Sequence, residues 1–276
     1  MGFIRGSLLV IAGVFLFLSL LIGNIFLILT LSLDYNAIQP KLVSAIKELS
    51  ENEKINLADE VTKNFGDIKL QCQKNSEFIY EDSSLSYVFN IPCNITSQGP
   101  QFVLDYGINN FIEQTYYKDY ECDFLNCIEN LKDLKTSFFL VSKEAHDYWK
   151  GKFYFSLIIS FILVFLIFLL IEQKDNFPFV IGAVLIISSL PFMKLNLIFS
   201  IISAGPILLF LKILFSKSYG VSLVLSISGF VLLGVGLALK LFRLGFFISK
   251  KLEEKEEENV KSEKTMKKRK SEESKK

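Results

Sequence analysis

Apolar residues gather into long runs at the start and in the second half of the chain, with a mixed, polar block between them. From Leu8 to Leu33 nearly every position is apolar, and these 26 residues exceed the roughly 20 that a helix needs to cross a bilayer. The run is longer than the apolar core of a secretory signal, about 7–15 residues, and no small-residue cleavage site follows it. Residues 1–33 therefore read as an uncleaved membrane anchor. Asn24 is polar within this run and is expected to face another helix, not lipid.

Further spans are predicted near 153–171, 177–193 and 221–247. The polar turn Glu172–Asn176 is five residues long and forces the next run to return antiparallel. Phe177–Met193 has 17 residues, near the lower limit for crossing, and Pro178 lies in its first turn, where proline is tolerated. Gly229, Gly234 and Gly236 give the last run a small-residue face for close helix packing. Lys240 and Arg243 can snorkel from its end to an interface. Residues 195–215 are apolar too, but Gly205-Pro206 breaks them in the middle and Lys212 interrupts their end. Two short halves suit a re-entrant or interfacial segment, although hydropathy also permits a proline-kinked span.

Within the polar block, residues 34–150, the periods are shorter. Ile38, Leu42, Ala45, Ile46 and Leu49 repeat as one face of a helix, with Lys41, Lys47 and Glu48 opposite. Leu85, Tyr87, Phe89 and Ile91 alternate with more polar positions, which predicts a half-buried strand ending at Pro92. Ile108–Tyr117 and Asp123–Leu134 return to helical spacing, with Asp123 placed to cap the second helix. The fold class expected is a multi-pass α-helical membrane protein with an α+β domain inserted after the first span. Tyr148, Trp149 and Tyr154 stand where an interfacial aromatic belt belongs, with Lys150 and Lys152 in reach of headgroups. Residues 249–276 are almost devoid of apolar side chains. They read as a charged disordered tail or a frayed charged helix, and the Lys267–Lys270 cluster would be drawn to anionic lipid.

Charge sharpens this division. The block holds 19 acidic and 11 basic residues, a net −8, whereas the rest of the chain is +9. All four cysteines, Cys72, Cys93, Cys122 and Cys127, lie in the block. An even number confined to one polar region reads as a disulfide framework in an oxidising compartment. Four cysteines allow three pairings. Cys72–Cys93 and Cys122–Cys127 are favoured because each closes a short loop. The rival is a zinc site, but zinc ligands come as two close pairs, unlike separations of 21 and 5. Unpaired cytosolic thiols are a third reading. Asn94-Ile95-Thr96 is a glycosylation sequon in an exported chain and gives weak support to export.

Two charge arguments set the topology. The tail carries 11 basic residues directly after a span, which places it in the cytoplasm. An exported cysteine block places the N-terminus there too, so the number of spans is even and residues 195–215 are the run demoted. The rival keeps five spans, with the N-terminus outside and the block in the cytosol.

The chain has no P-loop, no G-x-G-x-x-G after a strand, no G-x-S-x-G and no H-E-x-x-H. His146, the one histidine, lies between Glu144 and Asp147 and reads as an ordinary juxtamembrane residue. No Asp or Glu interrupts the apolar runs, which argues against a proton- or ion-coupled pump. An acidic block would repel nucleic acid. The expected function is thus non-enzymatic, without cofactor or metal. It is an envelope protein whose acidic outer domain binds a partner or ligand, touching membrane lipid and another envelope or membrane protein. The alternative is a subunit of a channel or transport complex that uses the broken segment 195–215 to line a cavity.

Overall fold

The computed structural model describes residues 2–52, 57–82, 87–120, 124–129, 138–195, 198 and 206–273. Helix dominates. In chain order the elements are α1 Gly2–Ser32, α2 Tyr35–Asn52, α3 Leu57–Cys72, β1 Glu77–Asp82, β2 Tyr87–Pro92, α4 Cys93–Thr96, α5 Pro100–Tyr116 and α6 Phe124–Glu129. A 3-10 turn at Phe138–Val141 leads to α7 Lys143–Leu170, and a second at Lys174–Asn176 to α8 Phe177–Met193. The chain ends with α9 Pro206–Leu214 and α10 Ser218–Glu273.

Four stretches among the described residues are long and apolar enough to cross a bilayer: Phe3–Ser32, Lys143–Leu170, Lys174–Met193 and Phe210–Gly245. Their large apolar side chains are left uncovered. Phe161 is 66% exposed, Phe165 63% and Phe242 78%. So much exposed apolar surface suits a lipid environment, not water.

The chain divides into two compact units. One comprises residues 1–17, 161–187 and 225–276. In it, the Arg5 guanidinium caps the end of α7, donating to Leu170 O at 2.7 Å and Leu169 O at 3.3 Å, with Glu172 3.7 Å away. A cation suits that end, because the last turn of a helix exposes unsatisfied carbonyls and the negative end of its dipole. Lys174 donates likewise to Phe168 O, and Arg243 pairs with Asp175 at 2.8 Å. Helices α8 and α10 meet backbone to backbone. A Cβ on Gly182 would lie 2.7 Å from Gly229 O, and one on Gly229 would lie 2.6 Å from Ile186 Cγ1. Gly236 approaches Phe179 in the same way, whereas Gly234, expected on this face, has open space around it.

The other unit comprises residues 18–160 and 188–224. Asp34 opens α2, its carboxylate accepting from the Asn36 amide at 3.1 Å. The apolar positions read as one face of that helix do bury Ile38, Leu42 and Ala45. They pack on Ile108, Ile112 and Tyr116 of α5, spaced at helical intervals, and on Phe139, Val141 and Ala145. Helix α5 starts earlier than its periodicity suggests, at Pro100, whose missing N–H costs nothing at the first helical position. Gly99 before it has φ 114°, a conformation open chiefly to glycine. A second, smaller core joins Ile68 of α3, Ile91 of β2 and Val103 of α5, with Val61, Phe65 and Phe78 against it.

Four features bear on the expectations from the sequence. The α+β block is helical apart from one antiparallel hairpin, β1 with β2, in register Phe78↔Ile91 and Tyr80↔Phe89. Ser142 caps α7, its hydroxyl accepting from the Ala145 amide at 3.2 Å, and the helix runs unbroken through Lys150 into the apolar stretch. Residues 249–273 continue α10 as helix, one of the two readings open for this charged stretch. Lys and Glu are both good helix formers, and no Gly or Pro follows Gly245 to end the run. Finally, Tyr148 and Trp149 are not simple interfacial residues. Trp149 stacks on Phe26 at 5.5 Å and meets Phe124 edge-on at 5.1 Å, so it belongs to the core. Tyr154 alone of the three is more than half exposed.

The broken segment is described only in part, since 196–197 and 199–205, including Gly205, lie outside the described residues. Pro206 takes the first position of α9, a nine-residue helix separated from α10 by a turn. Ile213 of α9 is buried in the large core beside α2. The second half of the segment therefore packs on the polar block.

Candidate functional site

Three places in the second unit concentrate chemistry or shape. The first is the small lobe of α3, the β hairpin and α4. Cys72 at the end of α3 is bonded to Cys93 at the end of the hairpin, with Cα atoms 5.4 Å apart, closing a loop of 21 residues. Cys127 is buried and also disulfide-bonded, while Cys122 lies outside the described residues, as does Asp123. Asn94 is exposed on α4, and Thr96 of the same sequon is buried, its hydroxyl donating to Cys93 O at 2.8 Å. Leu70 of α3, Ile79 of β1 and Phe102 of the adjoining α5 are 53–63% exposed, and the carboxylates Asp59, Glu60 and Asp67 of α3 and Glu77 of β1 are exposed too.

The second place is the junction of the block with the helices that enter it. The Tyr116 hydroxyl donates to Leu33 O at 2.9 Å in a buried position at the end of α1. Burial, and then the nearby Asp34 carboxylate, push the Tyr116 phenol well above its ordinary range. Tyr35 packs on Tyr116 and Tyr117, with centroids 5.1 and 5.4 Å apart. Its phenol is raised as well, first by burial and then by Glu113. Phe124 stacks flat on Tyr148 at 3.9 Å. Polar side chains of the apolar helices find partners on neighbouring helices. Ser19 and Ser160 hydroxyls lie 2.9 Å apart, Ser156 donates to Ser19 O at 3.0 Å, Asn24 to Ser188 O at 3.3 Å and Ser222 to Ser189 O at 2.6 Å. Asn24 thus faces a helix, as its polarity requires.

The third is an open groove of about 470 Å³ between α2 and α9, lined by Lys41, Ser44, Ala45, Glu48, Lys212, Ile213 and Ser216. Burial first, and then the Lys217 ammonium, hold Lys41 below the usual lysine range. Ser216 and the Lys217 amide both reach Ser32 Oγ, at 3.4 and 3.2 Å. Sequence reasoning missed this site: Lys41 reads as the outer face of a helix and Lys212 as an interruption, and nothing in the chain order joins them.

His146 pairs with the residue after it: its Nδ1 lies 2.9 Å from Asp147 Oδ1. Nothing nucleophilic completes that pair into a catalytic set among the described residues, and none of these residues gathers three His, Cys, Asp or Glu side chains around a common point. Compared with models of known families, with curated proteins and with solved structures, the chain matches none.

Proposed function

We propose that the protein is a non-enzymatic integral membrane protein of the cell envelope, whose acidic domain binds a partner outside the cytoplasm and is held stiffly by the spans beneath it. One observation carries this reading: a single core contains both the domain and the ends of the helices that enter it. Leu33 at the end of α1, Ala145 at the start of α7 and Ile213 of α9 share that core with α2 and α5. A tethered ligand trap would need only a flexible linker. A load or signal taken up at the domain needs a joint of this kind.

The surface offered to a partner is the disulfide-closed lobe with the adjoining α5, which carry exposed Leu70, Ile79 and Phe102 and exposed carboxylates. Such a surface favours a partner with apolar anchors and a basic rim. The orientation rests on charge. Arg5, Lys174, Lys240 and Arg243 belong to one unit, and Arg5 and Arg243 both bond to the α7–α8 connection. Together with the basic tail they mark the cytoplasmic side, with both termini on it. The channel reading is weaker, because the polar side chains of the apolar helices bond to one another instead of lining a path.

Two measurements test the proposal. Lys74→Cys and Ser262→Cys, each in the otherwise unchanged chain, are exposed to an impermeant maleimide on intact cells. Labelling at 74 and none at 262 is expected, and the reverse pattern would overturn the orientation. A photo-crosslinking residue at 70 or 102 should then capture one protein partner that a residue at lipid-facing 161 does not. Equal capture at all three positions would remove the case for a docking lobe.

A further inference from the structure

We infer that the groove between α2 and α9 is a binding site for the phosphate of an anionic membrane phospholipid. Lys41 and Lys212 line it together with the hydroxyls of Ser44 and Ser216, over a floor of Ala45 and Ile213. The two ammonium groups are the donors a phosphate ester needs; the Ser44 and Ser216 hydroxyls already bond to Pro40 O at 3.0 Å and to Ser32 Oγ at 3.4 Å, and an apolar floor offers the glycerol end of a lipid a surface. At about 470 Å³ the groove suits a headgroup and leaves the acyl chains outside.

Its charge is out of keeping with its surroundings. The polar block is strongly acidic, and Lys47, two turns beyond Lys41 on α2, is paired with Asp105 at 2.7 Å. Lys41, Lys212 and Lys217 have no ion-pair partner among the described residues. Glu48 lies exposed on the same groove and offsets one of the two lysines that line it, leaving a net charge of +1, with the Lys217 charge felt at Lys41. Burial is the first cause that holds the Lys41 ammonium below its usual range and the Lys217 charge the second, and an anion beside it would offset both costs. An anionic headgroup therefore fits better than a zwitterionic one.

Position separates a lipid from a free ion. The Lys217 amide donates to Ser32 Oγ, tying the residue before α10 to the last residue of α1. The groove thus opens beside the ends of two apolar helices, at the depth where the phosphates of a bilayer lie. This inference holds whichever side of the membrane the domain occupies.

The test is lipid binding to the full chain, purified in mild detergent and titrated with phosphatidylglycerol, with retained lipid read by native mass spectrometry. The double variant Lys41→Ala/Lys212→Ala should bind about 20-fold more weakly, from the loss of two charges near the headgroup. Lys74→Ala, which removes a lysine outside the groove, should bind like the parent. Lys212→Glu is a second variant at an exposed position, where misfolding is not expected, and it should weaken binding as well. Resistance of the Cys72–Cys93 disulfide to a mild reductant checks that each variant is folded. Unchanged phosphatidylglycerol binding by folded Lys212→Glu and by the double variant would overturn the site. Phosphatidylcholine binding as tightly as phosphatidylglycerol would overturn its anionic selectivity. Displacement of the lipid by an equal concentration of inorganic phosphate would make it a free-anion site instead.

Discussion

The core of the polar block and the seam between α8 and α10 are held together by opposite means. In the block, large side chains fill the space: Phe139 is fully buried, with Phe124 and Tyr120 packed on it at centroid distances of 5.5 and 5.1 Å. At the seam, Gly182 and Gly229 withdraw their side chains so that two backbones touch. For a block that faces water, as proposed above, removing aromatic area from water is the main driving force available. Lipid explains the second. Apolar side chains gain nothing by leaving a hydrocarbon solvent, so association depends on close contact and on hydrogen bonds. The same amino acid change should therefore have different consequences in the two regions.

The sharpest test of that contrast is truncation of the largest buried ring. Phe139→Ala should destabilise the block by about 3–5 kcal/mol, the range for deleting a buried aromatic. The measurement is denaturant unfolding followed by protection of the disulfides from reduction. A loss below about 1 kcal/mol would show that the ring is not central to the core. Next comes the clamp. Paired Cys72→Ser and Cys93→Ser substitutions should cost roughly 2–5 kcal/mol in the same assay, and should leave the unfolding of the spanning helices in detergent unchanged. At the seam, enlargement is the damaging direction. Gly229→Val would drive atoms into Ile186 and Gly182 O, and should cost about 1–3 kcal/mol of bundle stability. Gly66→Ala in α3 meets open space and should stabilise the block by about 0.5–1 kcal/mol.

The Tyr116 hydroxyl adds a pH dependence to the block alone. Its phenol is raised in the folded state, so the folded protein holds its proton where the unfolded chain releases it. The sign follows: the contribution is complete below pH 10, the unfolded value, and is lost as pH rises beyond it. Tyr116→Phe should cost about 0.5–1.5 kcal/mol at neutral pH, from the lost hydrogen bond to Leu33 O, and should flatten the alkaline fall in stability. An alkaline slope identical in the variant would assign the titration to another group, with Tyr35 the first to examine.

How much of this was legible in the sequence depended on how cleanly each segment repeats. Long apolar runs stand out by length alone, and α8 occupies the predicted interval 177–193. In α2 the repeat of Ile38, Leu42 and Ala45 was clear because polar residues fill the other face. Helix α3 carries a comparable repeat at Val61, Phe65 and Ile68, but Gly66, Asn64 and a cluster of charges dilute it. Strand β1 was missed because Glu77, Glu81 and Asp82 interrupt its alternation, and its pairing with β2 supplies what its sequence lacks. Trp149 beside Lys150 suggests an interface, and only the third dimension reveals Phe26 and Phe124 around the ring. The groove was invisible for the same reason: Lys41 and Lys212 belong to segments that no local pattern connects.

The smallest expected effect returns to the contrast between water and lipid. Asn24 is 5% exposed and donates to Ser188 O at 3.3 Å, so in an aqueous core the loss of this buried bond would cost about 0.5–1.5 kcal/mol. In a membrane the reference state differs, because a separated helix dissolved in lipid also finds partners for its amide. Asn24→Ala should therefore cost only about 0.6 kcal/mol of bundle stability, close to the average for interhelical hydrogen bonds in lipid. Its equilibrium can be read by unfolding in mixed micelles of mild detergent and dodecyl sulfate, with Gly229→Val as the internal standard. Gly229→Val should be the more damaging of the two. If Asn24→Ala proved worse, hydrogen bonds and not backbone contact would be the principal tie between the spanning helices, and the difference drawn between the two regions would fail.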